Sequence, residues 1–209
     1  NSENGIRVSY PENYFLIKNC DIHHNSRGLD VYGSPETIVF SYNTIRDNSP
    51  KGGGFAGSST FSYNTIKNNS FLNNDNNWCN SCGGGIKIDN TDFNHNIITG
   101  NRNDFNDGAS GLFIYDGDDV NNNIIANNIG SKYSVYIDDQ GVENFTHNMI
   151  ADGLTYLDDT KLYGLYTNNV FAGGVIGKIE FKNDADFSKN TILRSPGGGY
   201  IEYLRIYGA

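Results

Sequence analysis

The chain has 209 residues, of which 37% are hydrophobic, 13% aromatic and 19% charged, and its net charge is −9. Its 25 glycines and many asparagines disfavour a helical protein, because both residue types are poor helix formers. The negative charge disfavours a nucleic-acid partner, which requires basic surfaces. No apolar run is long enough to predict a membrane span.

A nine-residue phrase recurs along the chain. It begins as "IKNCDIHHN" (17–25) and returns as "FSYNTIRDN" (40–48), "FSYNTIKNN" (61–69) and "FNHNIITGN" (93–101). Eight copies align on one position, which is held by Cys20 in the first copy and by asparagine in the others: Asn43, Asn64, Asn96, Asn123, Asn148, Asn169 and Asn190. Five residues later a second polar column contains Asn25, Asn48, Asn69, Asn101 and Asn128.

A period of 20 to 30 residues is typical of an architecture in which each unit stacks on the next. Short strands separated by one turn-prone polar residue predict an all-β, right-handed parallel β-helix of about eight coils, with neighbouring coils about 4.8 Å apart. Asparagine tolerates left-handed backbone geometry, so we expect these residues to form tight turns and to stack as a hydrogen-bonded ladder. The Phe and Ile columns that flank them are predicted to form the core.

After the second polar column each coil begins another strand, as in "GLDVY" (28–32), "GGIKID" (84–89), "GLFIYD" (111–116) and "SVYIDD" (134–139). Alternation places the aliphatic residues of these strands inside the solenoid: Leu29, Val31, Ile86, Ile88, Leu112, Ile114, Val135, Ile137 and Leu157. The predicted outward residues are Arg7, Asp30, Tyr32, Lys87, Asp89, Phe113, Tyr115, Tyr136, Asp138, Tyr156, Asp158, Lys178 and Glu180.

Aromatic residues and carboxylates alternate on this outer face. An aromatic ring can stack on the apolar face of a sugar while carboxylates accept hydrogen bonds from its hydroxyls, so the pattern predicts a sugar-binding groove. Aromatic stacking that only stabilises the sheet is the alternative interpretation.

Two long connections precede the middle of this face. They are "SFLNNDNNWCNSCG" (70–83) and "RNDFNDGAS" (102–110), and we expect them to wall the groove, with Trp78 contributing to the sugar platform. Cys79 and Cys82 in the first connection form a local disulfide or remain free thiols, and a metal site is the weaker alternative.

An acidic column lies beside the face. It contains Asn90, Asp116, Asp139 and Asp159, preceded by Asp89, Asp138 and Asp158. Stacked carboxylates repel one another unless they are neutralised or solvated, which leaves three interpretations. Asp116, Asp139 and Asp159 hold Ca²⁺, or two of the carboxylates form an acid–base pair, or the column is a set of solvated turn residues.

The double "N-x-I-x-x-N" column makes the whole chain resemble the right-handed parallel β-helix superfamily typified by pectate lyases. Its Asn-rich and Tyr-rich coils and its length also resemble the β-helix domain associated with archaeal disaggregatases, which disperse cell aggregates by attacking the surrounding polysaccharide. In lyases of this fold a Lys or Arg abstracts the proton next to a uronic carboxylate, often with Ca²⁺ nearby. The resemblance therefore makes Lys87 a candidate base.

We expect a catalytic groove on coils 4 to 7, formed by Lys87, Asp89, Tyr115, Tyr136, Asp138 and Asp158. In an elimination Lys87 is the predicted base and Tyr115 or Tyr136 the proton donor, whereas in a hydrolysis Asp138 pairs with Asp89 or Asp158. Desolvation lowers the pKa of a lysine and a neighbouring aspartate raises it, and the sequence leaves that balance open. The predicted substrate contacts are Trp78, Phe113, Tyr156, Lys178, Glu180, Arg7, Asp30 and Tyr32.

The resulting hypothesis is an extracellular or cell-surface domain that degrades a polysaccharide, excised from a longer polypeptide whose other domains are its partners. A non-catalytic β-helix that binds glycan or extends a surface protein is the second hypothesis. An adhesion or assembly module that uses the open ends of the solenoid is the third.

Overall fold

The computed structural model describes residues 4–11, 14–32, 38–72, 84–104, 108–130, 133–138, 142–151, 154–162, 165–173, 175–181, 186–193 and 204–207. For residues 117–118, 154, 156–162, 175–181 and 204–207 it describes the backbone alone. The elements in this part of the chain are β-strands, and those of successive coils pair in parallel. The described residues include no helix with the length and apolar character needed to cross a membrane.

The strands are short and numerous. In chain order they are β1 (Asn4–Ser9), β2 (Phe15–Lys18), β3 (Asp21–His23), β4 (Arg27–Tyr32), β5 (Ile38–Ser41), β6 (Thr44–Arg46), β7 (Gly54–Gly57), β8 (Thr60–Ser62), β9 (Thr65–Lys67), β10 (Ser70–Phe71), β11 (Ile86–Asp89), β12 (Asp92–Asn94), β13 (Ile97–Thr99), β14 (Arg102–Asn103), β15 (Ala109–Asn121), β16 (Ile124–Ala126), β17 (Tyr133–Ile137), β18 (Val142–Thr146), β19 (Met149–Ile150), β20 (Leu154–Leu162), β21 (Leu165–Thr167), β22 (Val170–Phe171), β23 (Val175–Phe181), β24 (Thr191–Ile192) and β25 (Leu204–Tyr207).

These strands form three parallel sheets that run along the solenoid. Sheet A follows the order β1-β4-β7-β11-β15-β17-β20-β23-β25, and sheet B the order β2-β5-β8-β12-β15-β18-β21. Sheet C contains eight strands in the order β3-β6-β9-β13-β16-β19-β22-β24. The 13-residue strand β15 crosses from sheet A into sheet B, and β10 and β14 form a small separate pair. The predicted parallel β-helix is confirmed.

The core consists of identical or similar side chains stacked from coil to coil. In sheet B the rings of Phe40, Phe61 and Phe93 are fully buried, with centroids 5.5 and 5.3 Å apart. In sheet C the predicted isoleucine column is buried through Ile22, Ile45, Ile66, Ile98, Ile125 and Ile150. The inward positions predicted for sheet A are buried wherever their side chains are described, and Leu157 is described by its backbone alone. Burial of each such side chain contributes about 1.5 to 3 kcal/mol.

The asparagine ladder satisfies every polar atom of its side chains. The Oδ1 atom of Asn96 accepts hydrogen bonds from the Asn64 backbone N–H (2.8 Å) and from Asn64 Nδ2 (3.2 Å). Its Nδ2 donates to the Phe61 carbonyl (2.9 Å) and to Asn123 Oδ1 (3.2 Å). The same pattern runs from Asn43 to Asn190, and Cys20 contributes its backbone N–H to Asn43. A second ladder joins Asn25, Asn48, Asn69, Asn101 and Asn128.

The left-handed residue of each turn is not the ladder asparagine, which corrects the sequence-based expectation. Positive φ angles of 55 to 58° belong to the residue before it: Asn19, Tyr42, Tyr63, His95, Asn122, His147, Asn168 and Lys189. Two roles are therefore divided between neighbours, since one residue reverses the chain and the next bonds to the adjacent coils. Tyr42, Tyr63 and His95 occupy a conformation that bulky side chains rarely adopt, and their rings stack at 5.1 and 4.8 Å.

A column of glycines lies at or near the start of the strands of sheet A. It allows the chain to pass close to the second asparagine ladder. It contains Gly5, Gly28, Gly53, Gly85 and Gly111. A Cβ atom at Gly53 would overlap the carbonyl oxygen of Gly85 in the next coil, and one at Gly85 would overlap that of Gly111. Glycine is required there because the backbones of successive coils approach too closely for any side chain.

Candidate functional site

The outer face of sheet A carries a line of side chains, one for each coil. We call it the outer column. The strand register aligns Arg7, Asp30, Phe55, Lys87, Phe113, Tyr136 and Tyr156 along it. Phe55 was missed by the sequence analysis, although "GFAG" (54–57) shows the same alternation around the buried Ala56.

The first coils of this column form an ion cluster. Asp30 is only 5% exposed, and its carboxylate accepts a hydrogen bond from Arg27 Nη1 at 2.7 Å and lies 3.6 Å from Arg7 Nε. Its negative charge is therefore balanced by two guanidinium groups. The half-buried Tyr32 contacts the ring of Phe55 at 4.9 Å, and burial, followed by the charge of Asp30, raises the pKa of its hydroxyl.

Lys87 lies at the centre of the described part of the face. Its ammonium nitrogen is 5.2 Å from the ring centroid of Phe113 and 5.1 Å from that of Tyr115, within the range of cation–π attraction. Burial lowers the pKa of Lys87, and the charges of Asp89 and Asp138 oppose this shift without reversing it. Desolvation therefore prevails in the balance that the sequence left open.

Phe113 is covered, which differs from the open platform expected from the sequence. It is 1% exposed, and its ring stacks on Tyr136 at 4.8 Å with an interplanar angle of 13°. The edge of Tyr133, which the sequence analysis did not select, contacts Tyr136 at 5.9 Å. Phe113 therefore positions Lys87 and Tyr136, while Tyr115, at 42% exposure, is open to solvent.

A β-bulge at Tyr115 changes the expected register of the carboxylates. The sequence pattern aligned Asp116 with Asn90, whereas the structure pairs the Cα of Asp116 with that of Asp89. Asn90 turns away with a φ angle of 46° and donates its N–H to the Asp116 carbonyl at 2.7 Å. The extra residue in β15 is Tyr115, and a bulge of this kind redirects the side chain it carries.

Carboxylates from three successive coils lie around the bulge: the charges of Asp89 and Asp138 act on Lys87, and that of Asp116 acts on Asp89. We call Asp89, Asp116 and Asp138 the acid column. The backbone N–H of Asp138 donates to the Ile114 carbonyl at 2.9 Å, which places Asp138 opposite Tyr115 in the next coil, and the charge of Asp138 acts on Lys87. Burial, followed by the charge of Asp116, raises the pKa of Asp89, and Lys87 only partly offsets the rise. A carboxyl group whose pKa is raised by burial and by a neighbouring carboxyl group is the arrangement used by general acids.

The remaining predicted residues are described less fully. Trp78, Cys79, Cys82 and Asp139 lie outside the described residues, and for Tyr156, Asp158, Asp159, Lys178 and Glu180 the backbone alone is described. The Cα of Tyr156 pairs with Ile176, so Lys178 and Glu180 lie further along β23, and Asp158 and Asp159 fall at a register shift in β20.

The two long connections each contribute a described strand. Ser70 and Phe71 of β10 pair in parallel with Arg102 and Asn103 of β14. These strands precede β11 and β15, which carry Lys87 and Tyr115. The rest of the predicted wall, residues 73–83 and 105–107, lies outside the described residues.

The acid column does not by itself form a metal centre. Across the described ranges, no group of three or more His, Cys, Asp or Glu side chains is arranged to hold a metal ion. The predicted Ca²⁺ site also requires Asp139 and Asp159, whose side chains are not described, so it stays a prediction.

Comparison with known proteins supports the fold. Residues 1–148 match the model of a family described as the right handed beta helix region. The comparisons with curated proteins and with solved structures give no match. Because the family match covers well over half of the 209 residues and the strands form a parallel solenoid, the chain belongs to the right-handed β-helix family.

Proposed function

We propose that this protein is a polysaccharide-degrading domain that hydrolyses a glycan lying along the outer face of sheet A. The observation that carries the proposal is the group around Lys87. A half-buried ammonium, an exposed tyrosine and carboxylates from three successive coils share one face. The side chains of this face differ from coil to coil, whereas the ladders and the core columns repeat identical or similar residues.

In the proposed reaction Asp89 is the general acid. Its raised pKa keeps a proton available, which it donates to the glycosidic oxygen as the bond to the anomeric carbon breaks. Asp138, whose negative charge acts on Lys87, accepts a proton from the water that attacks the anomeric carbon. Two strand spacings separate these residues, roughly 10 Å along the solenoid, which is near the upper end of the separation used for inversion.

Asp116 and Lys87 shift the pKa of the proposed general acid Asp89 in opposite directions. Burial and then the negative charge of Asp116 raise the pKa of Asp89, while Lys87 lowers it and limits the repulsion within the acid column. Tyr115, exposed at the bulge, offers a ring and a hydroxyl to the sugar that occupies this coil.

Elimination is the second candidate, favoured by the lowered pKa of Lys87, which increases the fraction of neutral amine able to abstract a proton. The two reactions have different products. Hydrolysis releases reducing ends alone, whereas elimination also creates an unsaturated sugar that absorbs in the ultraviolet.

The test measures both products on a panel of neutral and acidic polysaccharides. We expect reducing ends without ultraviolet absorbance, and a rate loss of about a hundredfold or more in Asp89→Asn and Asp138→Asn. Asp92→Asn is the matched control, because Asp92 is a half-buried carboxyl group on sheet B whose pKa is also raised by burial. Full activity in both site variants would refute the site. Unsaturated products that disappear in Lys87→Ala would establish elimination instead. Tight binding to a glycan with no product would establish a non-catalytic domain.

A further inference from the structure

The charges around the site allow the class of glycan to be narrowed, an inference that rests on the proposed function. Asp89 and Asp116 are Cα partners on neighbouring strands, and Asp138 lies opposite Tyr115 in the next coil, where its charge acts on Lys87. Along the outer and acid columns from Phe55 to Asp138, Lys87 is the cation among the described side chains. Among these described side chains, three carboxylates therefore accompany one ammonium group.

The ammonium group of Lys87 already has interaction partners. It lies over the rings of Phe113 and Tyr115 and is attracted by the charges of Asp89 and Asp138. Recognition of a uronic acid requires a cation whose charge is available to the carboxylate of the sugar, as arginine provides in bidentate pairs. Lys87 cannot supply this without losing its present partners.

Two arginines of the outer face lie at its first coils, where they form ion pairs. Arg27 and Arg7 balance the buried Asp30, and Asp30 lies two coils before Lys87 in the outer column. Two strand spacings correspond to roughly 10 Å, and the charges of both guanidinium groups are balanced by Asp30. They therefore do not offset the acid column.

Asp116 is the residue that sets the sign of the site. It is exposed, and its charge is strong enough at Asp89 to be the second cause of the raised pKa there. An anionic sugar that reaches Tyr115 must approach this carboxylate, and the net charge of −9 adds a repulsive field over longer distances.

We propose that the glycan accepted beside Lys87 carries no carboxylate or other anionic group, and that Asp116 is the specificity-determining residue that excludes anionic sugars. A neutral sugar meets no repulsion here and can donate its hydroxyl groups to the acid column. The site thus selects by charge before any contact with the sugar ring is made.

The test uses glycan pairs that share linkage and length and differ only in charge. Three acidic polysaccharides, namely polygalacturonate, a glucuronoxylan and a hexuronate–hexosamine polymer, are compared with their carboxyl-reduced forms by titration calorimetry at low salt. We expect at least one reduced form to bind about tenfold or more tightly than its acidic parent. High salt should narrow the gap, because screening weakens the repulsion.

Two variants test whether Asp116 causes the weaker binding of the acidic glycans. Asp116→Asn should strengthen binding of the acidic parent severalfold and leave the reduced form unchanged. Asp119→Asn is the matched control, since Asp119 lies on the same strand but on sheet B, where it accepts a hydrogen bond from Asn144 at 2.7 Å, and we expect no change.

The outcomes separate this inference from the function on which it rests. Equal or tighter binding of an acidic parent would overturn the charge selection and leave a carbohydrate site in place. A gap that persists unchanged in Asp116→Asn would overturn the role of that residue. Failure of all six glycans to bind would overturn both the inference and the proposed carbohydrate function.

Discussion

The asparagine ladders and the outer face of sheet A use the same repeat in opposite ways. In the ladder, each coil presents the same side chain, and every polar atom of Asn96 or Asn123 has a partner in a neighbouring coil. On the outer face, neighbouring coils present an aspartate, a phenylalanine, a lysine, a second phenylalanine and a tyrosine in turn. Repetition stabilises the solenoid, and we propose that the variation on the outer face of sheet A supplies chemistry.

The two regions also differ in what burial does to polar groups. Burial of the ladder amides strengthens a network whose members are all satisfied. Burial of Lys87 and Asp89 disfavours the charged form of both, since the pKa of the lysine is lowered and that of the aspartate is raised. The site therefore costs stability that the ladders supply, as is common where groups are tuned for function.

The largest effect is expected when a ladder residue is removed. Asn123→Ala deletes bonds to Asn96, Phe93 and Asn148 and leaves buried polar atoms unsatisfied, so the free energy of unfolding should fall by about 3 to 4 kcal/mol. Chemical denaturation measures this loss. Asn122→Gly is the control from the same turn: Asn122 is exposed and left-handed, and glycine keeps that geometry, so a change below about 1 kcal/mol is expected. Equal losses in the two variants would show that the ladder bonds add little.

A smaller loss is expected in the glycine column. Gly53→Ala places a methyl group against the backbone of Gly85, and the strain should lower the free energy of unfolding by about 2 to 3 kcal/mol. Gly57→Ala, at the end of the strand β7 that follows Gly53, is the control. Its methyl group meets the ring of Phe55, a side chain that can move, so the variant should lose less. A reversed ranking would show that the coils can separate at this point.

Replacing Asp89 should raise the stability of the fold at neutral pH, whereas the replacements in the ladder and in the glycine column lower it. The folded-state pKa of Asp89 is raised, so its ionised form destabilises the fold above that pKa, and the penalty vanishes below the unfolded value near 3.8. Asp89→Asn should therefore raise the Tm at pH 7 by about 1 °C and match the parent at pH 3.

Asp47→Asn is the comparison for Asp89→Asn, because the pKa of Asp47 is lowered in the folded protein and that of Asp89 is raised. A hydrogen bond from Arg46 is the main cause of the lowered pKa of Asp47, so its contribution is present above the unfolded pKa and is lost as the pH falls through the folded value. The variant should lower the Tm slightly at pH 7 and not at acid pH. If Asp89→Asn behaved like Asp47→Asn, the acid column would be a stabilising feature and the comparison between ladder and site would fail.

The smallest effect is expected in the exposed turn column. Tyr63→Asn removes the stacking of Tyr63 with Tyr42 and His95 and replaces a strained tyrosine with a residue that tolerates its φ angle of 57°. Each effect is on the order of 1 kcal/mol and their signs are opposite, so the net change should stay below about 1 kcal/mol by chemical denaturation. A loss as large as that of Asn123→Ala would mean that the turn rings stabilise the solenoid as strongly as the ladder.

The sequence by itself determined the period, the identity of the ladder residues and the inward columns of the three sheets. These features follow from it because a solenoid stacks equivalent residues, so that a column in an alignment of the repeats becomes a column in space. Asn43 to Asn190, Phe40 to Phe93 and Ile22 to Ile150 were predictable for that reason.

The tertiary structure alone decided the arrangement of the site. The bulge at Tyr115 pairs Asp116 with Asp89 instead of Asn90, stacking against Tyr136 and Lys87 covers Phe113, and two arginines neutralise Asp30. Each of these depends on one extra residue or on a side chain from an adjacent coil. Register and burial arise from contacts between coils, and a pattern read along one strand does not contain them.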